Sequence, residues 1–116
     1  MKFVNTKIKG LKIIKGKNFY DKRGYFKEIY VKRKIKEHKP IFWCMSKSKK
    51  NVLRGLHLQT KNSQEKFVSV VKGKIFDVVV DLRKNSKSFG KHYKIILSEK
   101  NAKSILIPSG FAHRFR

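Results

Sequence analysis

The stretch KIFDVVVDL, residues 74–82, restricts the fold more than any other part of the chain. At the two-residue period of a strand, Phe76, Val78, Val80 and Leu82 share one face, while Ile75, Asp77, Val79 and Asp81 share the other. Both faces are partly apolar, so the strand needs cover on both sides. A central strand of a two-layer barrel has that cover; a solvated single sheet does not. Asp77 and Asp81 on the second face need partners, because an uncompensated buried charge is costly. The abundant lysines at a barrel mouth are the simplest ones.

The remaining sequence repeats this theme in shorter pieces. LKIIKGKNFYDKRG ends in the polar turn Asp21-Lys22-Arg23-Gly24, and YFKEIYV reads as the strand that follows. IFWCMS, VLRGLHLQ, KFVSVV, HYKIIL and SILIP read as further strands, and KRKIKEHK as a short helix stopped by Pro40. Gly73 sits between two strands in VVKGKIF, where a tight hairpin needs a residue tolerant of positive φ. RKNSKSFGK and SEKNAK are polar connections. The class is all-β, a sandwich or barrel, and 116 residues form one domain, residues 1–116, with a single core. Cys44 is the single cysteine and cannot form an internal disulfide, which suits a reducing cytoplasm. The N-terminus carries Lys every few residues, unlike a signal peptide. No run approaches the ~20 apolar residues that span a bilayer, so no membrane partner is expected.

Charge is the unusual feature. Lys and Arg number 31 against 7 Asp and Glu, a formal +24. Such a chain attracts polyanions at low salt whatever its function. Yet the basic residues are mostly Lys and spread along the whole sequence. A sequence-specific nucleic-acid reader concentrates charge on one face and uses Arg for bidentate contacts. Nucleic-acid binding is therefore expected to be non-specific at most.

VLRGLHLQ places Arg54 and His57 around Gly55 within an apolar, strand-like run. The two have opposite parity, so a regular strand sends them to opposite faces. For both to line one cavity the strand has to bulge, and Gly55 is where that is easiest.

Four segments in order, FYDKRGYFKE, VLRGLHLQ, KFVSVVKGKIFDVVVDLRKNSKSFG and ILIPSGFAHRF, resemble the dTDP-4-dehydrorhamnose 3,5-epimerase family of nucleotide-sugar enzymes, over about residues 18–115. The resemblance implies a cupin-type jelly roll, usually a homodimer. It also implies the conversion of dTDP-4-dehydro-6-deoxyglucose to dTDP-4-dehydrorhamnose. Protons at C3 and C5 flank the C4 ketone, and removing one gives an enolate. Epimerisation then needs a base, a cation near the enolate oxygen, and an acid on the opposite face. By the resemblance, His57 is the base, and Lys66 is the lysine that stabilises the enolate oxygen. Arg54 and His113 contact substrate, the guanidinium being suited to diphosphate. Arg23 and Glu28 contact the nucleotide, commonly across the dimer interface.

Many cupins hold a divalent metal, and PSGFAH resembles their second motif, with His113 at the ligand place. The first motif fails, since Gln59 rather than His stands two residues after His57. His38 and His92 stand isolated in Lys-rich surroundings. Cofactor-free proton transfer is the expectation. The family continues past the position that Arg116 matches, and there it carries the acidic tyrosine and the aspartate that orients the histidine. Tyr20, Tyr25, Tyr30 and Tyr93 all precede His113, and neither Asp77 nor Asp81 matches that aspartate. IFWCMS also lacks the amide of the family's nucleotide-touching segment, and Arg114 replaces a small residue. The expectation is a jelly roll incomplete at its C-terminal end, exchanging protons at C3 or C5 with little net inversion. The alternatives are a non-catalytic cupin that binds nucleotide sugars or other polyanions, and a basic β-domain associated with nucleic acid.

Overall fold

The structure, a computed structural model, describes residues 1–31, 33–35, 43–57 and 64–116, with the strand at 54–57 described through its backbone. Among the described residues ten strands run in chain order: β1 (Lys2–Asn5), β2 (Lys12–Lys15), β3 (Asn18–Asp21), β4 (Gly24–Lys27), β5 (Arg54–His57), β6 (Lys66–Ser69), β7 (Lys74–Asp81), β8 (His92–Ser98), β9 (Lys103–Ile107) and β10 (Phe111–Phe115). They form two four-stranded sheets, ordered β1-β2-β9-β6 and β5-β10-β7-β8, and a two-stranded hairpin, β3-β4. All of the pairings are antiparallel. No helix among the described residues is long and apolar enough to cross a membrane.

β7 takes the central place that its two-sided apolar pattern requires, hydrogen-bonded to β10 on one side and β8 on the other. The core lies between the sheets. Ile8, Leu11, Ile13, Ile105 and Ile107 come from the first sheet and its loop, and Val79, Leu97 and Phe111 from the second. The inward set on β7 is the one that carries Asp77 and Asp81, both fully buried. Gly73 has the positive φ, +79, expected of it, but β6 and β7 belong to different sheets, so the connection is a crossover between the sheets and not the tight hairpin expected.

Some expectations from sequence change. The strand read through YFKEIYV stops at Lys27, where the register with β3 ends at Asn18. Both residues turn to another task there, since Asn18 Nδ2 and Lys27 Nζ each donate to the Glu99 carbonyl at 2.8 Å. Of IFWCMS, residues 41 and 42 lie outside the described residues, and residues 43–46 are not strand. Most of the expected helix at KRKIKEHK is likewise outside. Within it, Lys34 and Ile35 donate to the Val31 carbonyl in a turn.

The lysine partners expected for the two aspartates are also replaced. Asp81 is satisfied by its own downstream loop. Arg83 donates from Nε at 2.9 Å and from a terminal nitrogen at 3.0 Å. Ser86 Oγ donates at 2.6 Å, Ser88 Oγ at 2.5 Å and the Arg83 backbone N–H at 3.0 Å. Arg83 also donates to the Lys9 carbonyl at 2.8 Å and lies 4.9 Å from the Phe111 ring centroid. A side chain at Gly110 would meet Arg83 Cγ at 2.6 Å. One guanidinium thus joins the β1–β2 loop, the β7–β8 loop and the β9–β10 turn. Burial alone raises the Asp81 carboxyl, but the bonds from Arg83, Ser86 and Ser88 outweigh it and hold the group well below the usual carboxylate range.

A carboxyl depressed in the folded state adds stability that is present above its unfolded value and lost as pH falls toward its folded one. Asp81→Asn should therefore lower the unfolding free energy by about 3–5 kcal/mol at neutral pH. In urea titrations that difference should hold above about pH 5 and shrink steadily below about pH 4. A difference independent of pH down to pH 2 would contradict the clamp.

Candidate active site between the sheets

β5 pairs with β10 irregularly. His57 stands opposite His113 and Arg54 opposite Phe115, with the register shifting between them. Three steps along β5 therefore match two along β10, which is a bulge on β5. Gly55 has φ +119, a conformation that suits glycine. A Cβ there would lie 2.7 Å from both the Arg114 Cα and the His113 carbonyl oxygen. The extra residue cancels the parity difference. Positions 54 and 57 both fall on the inward face of β10, the face of His113 and Phe115.

On that face a histidine–aspartate pair is buried beside the apolar core. His113 is 8 % exposed and Asp77 is fully buried, with Nε2 and Oδ1 2.5 Å apart. The contact is of ion-pair length, but its angles are not those of a hydrogen bond, and Asp77 Oδ2 meets no donor among the described residues. The Phe115 ring lies 5.5 Å from the imidazole. Across the interior, β6 pairs Lys66 with Ile107 and Val68 with Ile105. That register sets Lys66, half-buried, on the inward face of the first sheet. The fold thus gathers positions 54, 57, 66 and 113 onto the two facing inner surfaces.

Arg23 and Glu28 are not part of this group. Arg23 is at the tip of the β3–β4 hairpin, its side chain 91 % exposed and 2.6 Å from Asp21. Its guanidinium holds the Asp21 carboxyl below its ordinary value. Glu28 pairs with Lys34 at 3.4 Å and lines a shallow hollow with Ile14, Ser69 and Ser104. Those three lie on the outer face of the first sheet by register. Among the described residues, no three His, Cys, Asp or Glu side chains lie close enough to hold a metal ion. His92 is exposed at the start of β8; His38 lies outside the described residues. Sequence reasoning did not foresee that Asp77 would lie against His113. Its signal was a carboxylate on the apolar face of a central strand, and its partner proved to be an imidazole.

A two-sheet antiparallel sandwich with a histidine–carboxylate pair inside it defines a small-barrel protein of the all-β class. The particular family follows from comparison with known proteins. The family model for dTDP-4-dehydrorhamnose 3,5-epimerase matches residues 5–116, and the chain belongs to that family. It is 42% identical to the dTDP-4-dehydrorhamnose 3,5-epimerase of Neisseria gonorrhoeae over 119 residues, which cover 99% of this chain and 36% of that protein. With the enzyme of Methanothermobacter thermautotrophicus it shares 41% identity over 118 residues, 98% of this chain and 64% of that one. The crystal structure of the Legionella pneumophila dTDP-6-deoxy-D-glucose-3,5-epimerase, in complex with dTDP-4-keto-L-rhamnose, superposes with a TM-score of 0.89 at 41% identity. That match covers 98% of this chain and 63% of the Legionella chain. The fold is thus the cupin-type jelly roll of these epimerases. The chain spans between about a third and two thirds of the length of these relatives.

The bulge yields its own prediction. Gly55→Ala should cost about 2 kcal/mol or more, from backbone strain together with collision against β10. Gly73→Ala, strained in φ but with open space around it, should cost about 1 kcal/mol. Thermal unfolding of the two variants side by side checks the order.

Proposed function

We propose that this chain abstracts a proton beside the C4 ketone of a dTDP-linked 4-keto-6-deoxy sugar, the C3/C5 epimerase chemistry of rhamnose biosynthesis, in the cytoplasm. The observation that carries this reading is the β5 bulge, which sets positions 54 and 57 on one inward face with His113, in a chain of the epimerase family. The Legionella relative holding dTDP-4-keto-L-rhamnose supports the choice of substrate class.

In this reading His57 takes the proton from C3 or C5, since an imidazole exchanges protons near neutral pH. Lys66, on the facing sheet, stabilises the oxygen of the resulting enolate. A sugar held between the layers would then meet the base from one sheet and the cation from the other. Arg54 takes the diphosphate, and His113 contacts the sugar. The chemistry consumes no redox equivalent and needs no cofactor.

Arg23 and Glu28 read best as nucleotide contacts given to a second copy in a homodimer. The hairpin that carries Arg23 exposes Phe19, Tyr20, Tyr25 and Phe26. Such a cluster of aromatics suits an interface better than solvent. Binding of nucleic acid by the +24 surface is, in the same reading, non-specific and lost in salt.

The test is NMR of dTDP-4-keto-6-deoxyglucose in D2O with the protein. Deuterium should replace hydrogen at C3 and C5, and His57→Ala should slow the exchange by roughly 10²–10⁴-fold while nucleotide affinity changes little. A folded wild type that exchanges neither proton would overturn the enzymatic reading in favour of a nucleotide-sugar-binding module.

A further inference from the structure

We infer that Asp77 is a positioning residue of the site, holding the His113 imidazole in one orientation and one tautomer. The inference deepens the epimerase reading and rests on it for the identity of the substrate.

The argument starts from the contrast between two carboxylates on one strand. Asp81 and Asp77 are both fully buried on the inward face of β7. Asp81 accepts five hydrogen bonds, from Arg83, Ser86 and Ser88, as a structural carboxylate should. Asp77 is treated otherwise. Among the described residues its one ion-pair contact is with His113 Nε2, and Oδ2 meets no donor there. A valine at this place in a central strand would avoid the desolvation cost of several kcal/mol that a buried carboxylate carries. Stability alone therefore gives no reason for an aspartate here.

Position supplies the reason. His113 lies on β10 directly opposite His57, and Phe115, packed against the His113 ring, lies opposite Arg54. The Asp77–His113 pair thus underlies the two positions where substrate chemistry is proposed. Nε2 is the ring nitrogen beside the carboxylate, 2.5 Å from Oδ1, which leaves Nδ1 as the one that can meet a sugar oxygen. A neutral imidazole presents one donor and one acceptor, and whichever nitrogen is fixed by a neighbour decides which of these the ligand meets. The Phe115 ring, 5.5 Å from the imidazole, and the carboxylate beside Nε2 both restrict how the ring can turn. Asp77 need not touch the substrate to act.

Nitrogen-15-resolved NMR of the His113 imidazole, without substrate, tests this directly in wild type and Asp77→Asn. Wild type should show one tautomer, protonated on Nε2. The asparagine amide can present either an oxygen or an N–H group, so the variant should show both. In the deuterium-exchange assay Asp77→Asn should lose about tenfold or more at saturating substrate, with KM within about threefold. In a His113→Gln background it should add no further loss. An unchanged tautomer, or losses that multiply independently, would overturn the inference. Should Asp77→Asn not fold, Asp77→Val, which suits a core strand, takes its place in both measurements. If wild type exchanges no proton, the epimerase reading fails alone, and the tautomer comparison still decides the role of Asp77.

Discussion

The Asp81 carboxylate is the interaction on which the geometry of the sandwich depends. A bare charge in this interior would be untenable, and five donors from a single loop remove the problem. The main donor, Arg83, also grips the β1–β2 loop through Lys9 and covers Phe111 at the head of β10. The loops of one sheet are thereby locked to the strands of the other at one end of the molecule. β10 leaves that end in a set direction, and His113 and Phe115 follow at fixed places along it. The opposite treatment of Asp77, a few residues earlier on β7, is intelligible against this rigid end. A frame already closed by one satisfied carboxylate can hold a second whose neighbour is an imidazole.

Much of the frame was legible in the sequence because strand patterning is local. KIFDVVVDL read as a central strand and stands between β10 and β8 in the second sheet, buried on the face of Asp77, Val79 and Asp81, with Phe76 on the other face exposed. An irregularity at Gly55 was the condition for Arg54 and His57 to share one face, and the bulge stands there. What misled was apolar composition without a pairing partner. In IFWCMS, Trp43 and Met45 are 66 % and 82 % exposed, so hydrophobic content there did not mean a buried strand. YFKEIYV continued its pattern past Lys27, whereas the strand ended where its partner strand ran out. β1 went unread because lysines interrupt its short apolar run.

The site was legible in part, and the limit was long-range contact. Parity and motif order marked positions 54 and 57. That both aspartates would need partners was also clear. Which partners they would find was not, because lysine abundance is a property of composition and partner choice is a property of topology. Asp81 found an arginine two residues on, and Asp77 found a histidine on the neighbouring strand. Arg23 and Glu28 show the same limit from the other side. They are close in sequence but serve separate ion pairs, with Asp21 and with Lys34.

The bulge on β5 has a consequence in genetic terms. Losing the residue at position 55 would shorten the step between Arg54 and His57 to match the step between Phe115 and His113 on β10. The ladder would become regular, and both positions would keep the inward face. Replacing that glycine instead forces a side chain into the backbone of β10. Position 55 is therefore a place where a lost codon disturbs the strand pairing less than a changed one.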